Sequence, residues 1–398
     1  MALVACGLLL VTPGCEKPPA TPQPRGVKGS KLHYAAQYGN LQTIQRLINE
    51  GADVNEALPE TGQTPLILAA TRNQTKLVQF LLDEDIGLDL ERTDNDGQTA
   101  LAAASGMGTD DCVELLLAAG ADMESRDKWG RTPLMLAASN GYPSTLSILL
   151  SGGADSLVID DEGLTALVWA ARADYPACVE LLLEEGEELE AYNLNDMTIL
   201  MIASERGAAN SVALLITKGA DVQTTTEEGM TALHYAAFSD NRYIVESLID
   251  AGAVVDARDA DEKTPLMIAS KNIGRCISIF VEAGADVNAR SSLGSTPLMM
   301  AIATDKPEWS FAYSALIRHG ADVNAILFES ITPLMMAAMM SKVNVVQDLL
   351  DAGADVHYTS LFDDLTVIDA VRDTRNEIAD REEILAILLE AAQNSSKN

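Results

Sequence analysis

Apolar and small residues return along this chain in two short bursts, and the pair of bursts repeats. The first burst has the form T-P-L-x-x-A-A, as in Thr64-Pro65-Leu66-Ile67-Leu68-Ala69-Ala70. About twenty-one residues after most of these threonines comes L-L-x-x-G-A-D, as in Leu116-Leu117-Ala118-Ala119-Gly120-Ala121-Asp122. The leading threonines are Thr64, Thr99, Thr132, Thr165, Thr198, Thr231, Thr264, Thr296, Thr332 and Thr366, spaced 32 to 36 residues apart, and Ser30 opens a first copy. Repetition at this period predicts a stack of small units, because no unit can bury its apolar face alone. Eleven units of 33 residues account for residues 30–392.

Each place in the unit has a physical role. A threonine hydroxyl can cap the first free N–H groups of a helix. Proline beside it, as at Pro65, Pro133, Pro265, Pro297 and Pro333, suits the first helical turn, where no donor is lost. The alanine pair keeps the first helix thin, so that neighbouring units approach closely. Leucines such as Leu181, Leu182 and Leu183 fill the seam from the second helix, and the glycine that follows permits the left-handed turn that ends it. The polar stretch after glycine, such as Asp286-Val287-Asn288-Ala289, leads into an extended finger. The expected fold is mainly α: a solenoid of helix-turn-helix units with β-hairpin-like fingers, about 10 Å per layer.

In these motifs the chain resembles the ankyrin repeats, over nearly all of residues 30–392. The resemblance implies a protein–protein interaction module without catalysis or a cofactor, using its fingertips and the concave face of its first helices. It also implies local hydrogen bonding at the helix start for His33 and His234.

A different signal precedes the array. Ala2 to Val11 is an apolar run broken by Gly7, too short for a membrane span, which needs about 20 residues. Cys15 follows, then the proline-rich Glu16-Lys17-Pro18-Pro19-Ala20-Thr21-Pro22-Gln23-Pro24, a stiff tether. This resembles a bacterial lipoprotein signal. It implies a signal at 1–14, lipidation at Cys15, a tether at 15–29 and placement in the cell envelope. The match departs from the family pattern at Thr12 and Pro13, and a cleaved soluble export signal is the alternative reading. Residues 393–398 are expected to be a disordered tail.

Charge narrows the partners. With 59 acidic against 27 basic residues and a net charge of −32, the surface cannot displace counterions from nucleic acid. At 47% apolar residues the chain is nonetheless too hydrophobic for a disordered one. A protein partner, basic in character, and a monomeric array are expected. The four histidines fall at repeat positions, with no metal or catalytic role expected. Cys112, Cys178 and Cys276 fall on second helices in separate layers and read as core thiols. Asp94-Asn95-Asp96-Gly97 resembles a calcium loop only briefly, since Arg92 and Ala103 stand where its first and twelfth ligands belong.

Departures from the average unit mark candidate contacts. The fingertips read Lys128-Trp129, Asp161-Glu162, Asn195-Asp196, Glu227-Glu228, Asp261-Glu262, then Leu293 and Phe328. Stacking would align the acids into a ribbon, thickened by Glu187, Glu188 and Glu190 and bounded by Trp129 at one end and by Leu293 and Phe328 at the other. One reading is a groove for a basic partner with apolar anchors; the other is a solvated face of an acidic protein. The unit from Thr296 carries an insertion with Trp309 as a candidate contact, while Phe311 and Tyr313 read as core. Arg72, Arg172, Phe238, Lys271, Met339 and Met340 are expected on the concave side. Beside the interaction scaffold stand two alternatives: an immunity-type protein masking a basic toxin or enzyme, and a structural spacer.

Overall fold

The computed structural model describes residues 28–83, 86–190, 193, 195–304, 311–328, 330–360, 365–373 and 380–395. Among them, twenty-two helices run in chain order from α1 (Lys28–Gln37) to α22 (Arg381–Ser395). They form eleven pairs, such as α7 (Pro133–Asn140) with α8 (Pro143–Gly152) and α9 (Ala166–Arg172) with α10 (Pro176–Glu184). First helices pack on first helices of adjacent units, as α7 does on α9 and α9 on α11 (Ile199–Arg206); second helices pack likewise, α8 on α10. The result is the expected two-row solenoid.

The predicted start signal operates as drawn. Thr64, Thr99, Thr132, Thr165, Thr198, Thr264, Thr296, Thr332 and Thr366 each accept a hydrogen bond from the backbone N–H three residues on. Thr231 does it differently. Its N–H donates to His234 Nδ1 at 3.1 Å, and its hydroxyl also lies against Nδ1. Because Nδ1 accepts, the proton sits on Nε2, which meets the Lys263 carbonyl at 3.1 Å. Burial holds this ring's pKa below its ordinary value.

The alanine pairs Ala69-Ala70, Ala137-Ala138 and Ala170-Ala171 are fully buried, so first helices approach closely through small side chains at these places. Gly141 shows how close the units come: a Cβ there would stand 2.3 Å from Tyr175 Cδ1 of the next unit. Leucines of the second helices, among them Leu116, Leu149, Leu182, Leu215 and Leu248, lie in one apolar cluster that runs along the array. Cys112, Cys178 and Cys276 are free and buried in that cluster. Burial pushes the Cys178 thiol up to about 11 and Cys276 to about 12, which removes the reactive thiolate.

Several expectations need adjusting. The fingers carry hairpin-like turn bonds, such as Asp127 N–H to the Arg131 carbonyl at 3.0 Å. Among the described residues, though, they form no strand, only isolated bridges at Leu327–Ile331 and Thr359–Thr366. Phe311 is 67% exposed rather than core; it opens α18 (Phe311–Arg318), whose buried side is Ala312, Tyr313, Ala315 and Leu316. Helix α22 runs to Ser395, into the segment expected as tail, because Ile384 and Leu388 anchor it in the core cluster. Helix α1 likewise begins two residues before Ser30. Cys15, the whole leader and Trp309 lie outside the described residues. No described helix is long and apolar enough to cross a membrane.

Candidate interaction surface

Five fingers are bent by one side chain five residues before the capping threonine. Asp127 Oδ1 accepts from Trp129 N–H at 3.0 Å and Arg131 N–H at 2.9 Å. Asp94, Asp160, Asn193 and Asp259 make the same two bonds in their fingers. Asp94 is therefore a turn-former, and burial raises its pKa. The sequence signal was available as a polar residue three before the finger glycine.

Successive tips are joined by backbone bonds. Lys128 N–H donates to the Asp96 carbonyl at 2.9 Å, Asp161 to Trp129 at 3.2 Å, Ala260 to Glu228 at 2.7 Å and Ser292 to Asp261 at 2.8 Å. The tips therefore lie side by side along one edge. Lys128, Asp161, Glu162, Asp196, Glu227, Glu228, Asp261 and Glu262 are all exposed, as are Trp129, Leu293 and Phe328.

This ladder corrects the register of the ribbon. Two residues before the threonine, most fingers have glycine: Gly62, Gly97, Gly130, Gly163, Gly229 and Gly294, all with positive φ. Asp196 and Glu262 occupy that same place, at φ 62° and 57°. Side chains in the left-handed region cost about 1 kcal/mol each relative to glycine. So two acids of the ribbon stand where most fingers have glycine and where the backbone disfavours a side chain. Phe328, in a differently built tip, is also left-handed at φ 49°.

The acids differ in their company. Arg172 pairs with Glu162 at 3.3 Å, Lys263 with Asp261 at 2.5 Å and Arg258 with Glu262 at 3.9 Å. Asp196, Glu227 and Glu228 have no ion pair among the described residues. They face a cleft of about 460 Å³ with Asn195, Thr226 and Tyr235. Glu187 does not thicken the ribbon. It is 7% exposed and sits at the base of its finger, directly after the helix-ending Gly186. Glu190 is also at a finger base, where it accepts from Asp221 N–H at 2.9 Å.

Trp129 is not a bare apolar anchor. Lys128 Nζ lies 4.3 Å from its ring centroid and the Arg131 guanidinium 4.6 Å. Arg131 also lies 5.7 Å from the Trp169 ring, and Arg172 4.9 Å. Such contacts are attractive through the ring quadrupole. Trp169 Nε1 donates to Asp160 at 2.8 Å, and Asp127 holds Arg131 at 2.8 Å. This basic–aromatic stack closes one end of the acid ribbon; Arg131 and Trp169 had no place in the sequence reading. The other end is apolar: Leu293, Met299, Met300 and Met336 line a cleft of about 270 Å³ with Lys263 and Lys271 on its rim. Arg72, Phe238, Lys271 and Met339 are exposed, and Arg172 and Met340 half-buried, at the ends of their first helices.

Comparison with known proteins agrees with this architecture. The family model described as "Ankyrin repeats (3 copies)" matches residues 32–127, 102–193, 186–259, 244–310 and 266–360. The human transient receptor potential cation channel subfamily A member 1 is 40% identical over 93 residues, which are 23% of this chain and 8% of the channel. The NF-kappa-B inhibitor cactus of Drosophila yakuba is 34% identical over 104 residues, covering 26% of this chain and 21% of the inhibitor. An ankyrin repeat domain-containing protein, SAT10, of Stachybotrys chartarum is 34% identical over 98 residues, 22% of this chain and 5% of SAT10. The matched stretch is thus a small part of each relative.

Proposed function

The chain belongs to the ankyrin-repeat family, and from that premise we propose that it is a non-enzymatic scaffold which holds a basic protein partner at the bacterial cell envelope. Ankyrin repeats in general mediate protein–protein interaction. The basic character of the partner is our reading of the ribbon. Its main support is the placement of Asp196 and Glu262 in left-handed backbone at the tips, where other fingers have glycine. Asp196, Glu227 and Glu228, free of ion pairs among the described residues, supply the charge; the flanking Trp129 stack and the Leu293–Met336 cleft supply contact area. Charge of this kind sets orientation and encounter rate more than raw affinity.

Envelope placement rests on the leader, with Cys15 as the lipid attachment and the proline-rich segment as the spacer. Mature protein should partition into detergent, and Cys15→Ala should abolish that partitioning. For the partner, cross-linking in intact cells followed by quantitative capture is the direct test. We expect a captured protein whose affinity falls steeply with salt and which is lost from a variant carrying Asp161→Asn, Glu162→Gln, Glu227→Gln and Glu228→Gln. Equal capture by that variant, at any ionic strength, sinks the acid-ribbon reading.

A further inference from the structure

Neighbouring fingers are tied at their bases by side chains that cross from one unit to the next. Asn288 Oδ1 accepts from Asp322 N–H at 2.7 Å while its Nδ2 donates to the Gly320 carbonyl at 3.4 Å. Asn55 and Asn324 make the same double contact. Glu91, Glu124, Glu190 and Asp256 provide the accepting half, and Gln223 the donating half. Two residues further on, Arg126, Arg258 and Arg290 each donate to a carbonyl of the next finger, at 2.9, 2.8 and 2.8 Å.

Among the described residues, the junction between the finger at 156–164 and the finger at 189–197 has neither tie. Leu157 stands at the asparagine place and Ile159 at the arginine place, 66% and 47% exposed. At the same junction Glu187 replaces the alanine found at Ala121, Ala154, Ala220, Ala253, Ala285, Ala321 and Ala354. Its side chain points inward. Oε2 accepts from the Thr165 hydroxyl at 3.0 Å, and Oε1 is buried without a partner.

We propose that this junction is a proton-operated joint in the array: neutral Glu187 keeps the fingers on either side of it closed, and its ionisation loosens them. An ionised carboxylate so enclosed has too few donors to offset its lost hydration: burial outweighs the Thr165 hydroxyl and the Leu167 N–H. The charged group facing it is Asp155, after α8, and that charge is repulsive. Helix α9 and its cap offer the Thr165 hydroxyl and the Leu167 N–H, and the Leu182 carbonyl of α10 accepts from the Glu187 N–H. Burial first, then Asp155, push the carboxyl up to about 7, so the switch falls near neutral pH. With neither the asparagine nor the arginine tie at this junction, and the Thr165–Glu187 bond as the side-chain link described there, the cost of ionisation is met by local opening. The joint lies between Glu162 and Asp196, so opening it would shift the two parts of the acid ribbon. That consequence rests on the proposed function; the joint itself does not.

Hydrogen exchange on the whole chain, corrected for intrinsic rates, tests it. Between pH 5 and pH 8, amides at 186–197 and at the start of α9 should become at least about tenfold more open, while the equivalent amides at 219–230, beside Ala220, should not. Glu187→Ala and Glu187→Gln should both remove the pH dependence. Unchanged protection in the wild-type chain, an equal change at 219–230, or pH dependence surviving in either variant would overturn the joint. Loss of partner binding by the neutralised tips, with the exchange pattern intact, bears on the ribbon alone.

Discussion

Two finger junctions with the same helical core are held in opposite ways. Between the fingers at 286–295 and 322–331, Asn288 and Arg290 cross to the next unit with bonds of 2.7 Å and 2.8 Å. Between those at 156–164 and 189–197, the same places hold Leu157 and Ile159, and a buried glutamate replaces alanine. Beneath both, first helices pack through small residues: Ala301 is 3% exposed at one junction, and Ala170 and Ala171 are fully buried at the other. The helix stack is therefore specified by the apolar repeat, whereas finger register is specified separately, by a few side chains at the base. A repeat array can loosen one finger joint without surrendering its core, because each unit contacts only its neighbours.

The largest expected effect comes from making the weak junction ordinary. Glu187→Ala should stabilise the array at pH 8 by up to about 3 kcal/mol, the worth of a carboxyl raised to about 7 from its usual 4.5. The raised value means that the fold prefers the protonated acid. Its contribution is complete below about pH 4.5 and is lost as pH rises through about 7. The variant's gain should accordingly vanish in acid. Urea midpoints of the two proteins, measured from pH 4 to pH 8, should converge at the low end and separate at the high end. A constant difference across that range means that Glu187 acts through its size and not its charge.

A smaller change is expected from exchanging the ties themselves. Asn288→Ala removes one accepted and one donated bond, and should cost about 1–2 kcal/mol. Leu157→Asn supplies the missing tie, with the Glu188 N–H and the Gly186 carbonyl as its expected partners. It should recover up to about 1 kcal/mol and raise protection at 186–197. If both substitutions leave midpoint and exchange unmoved, the backbone bonds between tips are what sets finger register.

The helices, their caps and the stacked core were legible because they are properties of one unit, repeated. A threonine, a proline and an alanine pair mean the same thing wherever they recur, and Thr64 and Thr332 cap alike. The exposed tips were legible for the same reason. What could not be read were relations between units. Glu187 looks like one more surface acid until its place is aligned with Ala154 and Ala220. The partnership of Arg131 with Trp169 joins adjacent units and leaves no local pattern. Asp196 and Glu262 were assigned to the tips, but only the positive φ shows that they occupy glycine's place. Phe311 was misplaced because helical spacing does not say on which side a helix of an irregular unit begins.

The finest contrast lies within the ties, between an amide and an acid at one place. Gln223 Nε2 donates to the Gly252 carbonyl at 2.6 Å. Glu124, one of the acids at this place, accepts from Asp155 N–H at 2.9 Å through Oε1, but its Oε2 is buried with no partner. A carboxylate has no proton to give the glycine carbonyl that an amide would reach. Glu124→Gln should supply that donor toward Gly153 and stabilise the junction by about 0.5–1 kcal/mol. The gain should be the same in low and high salt, since the new bond is made by a neutral group at short range. A gain that disappears at high ionic strength would mean that the substitution only relieved the general acidity of the chain. The finger base would then owe nothing to whether amide or acid spans it.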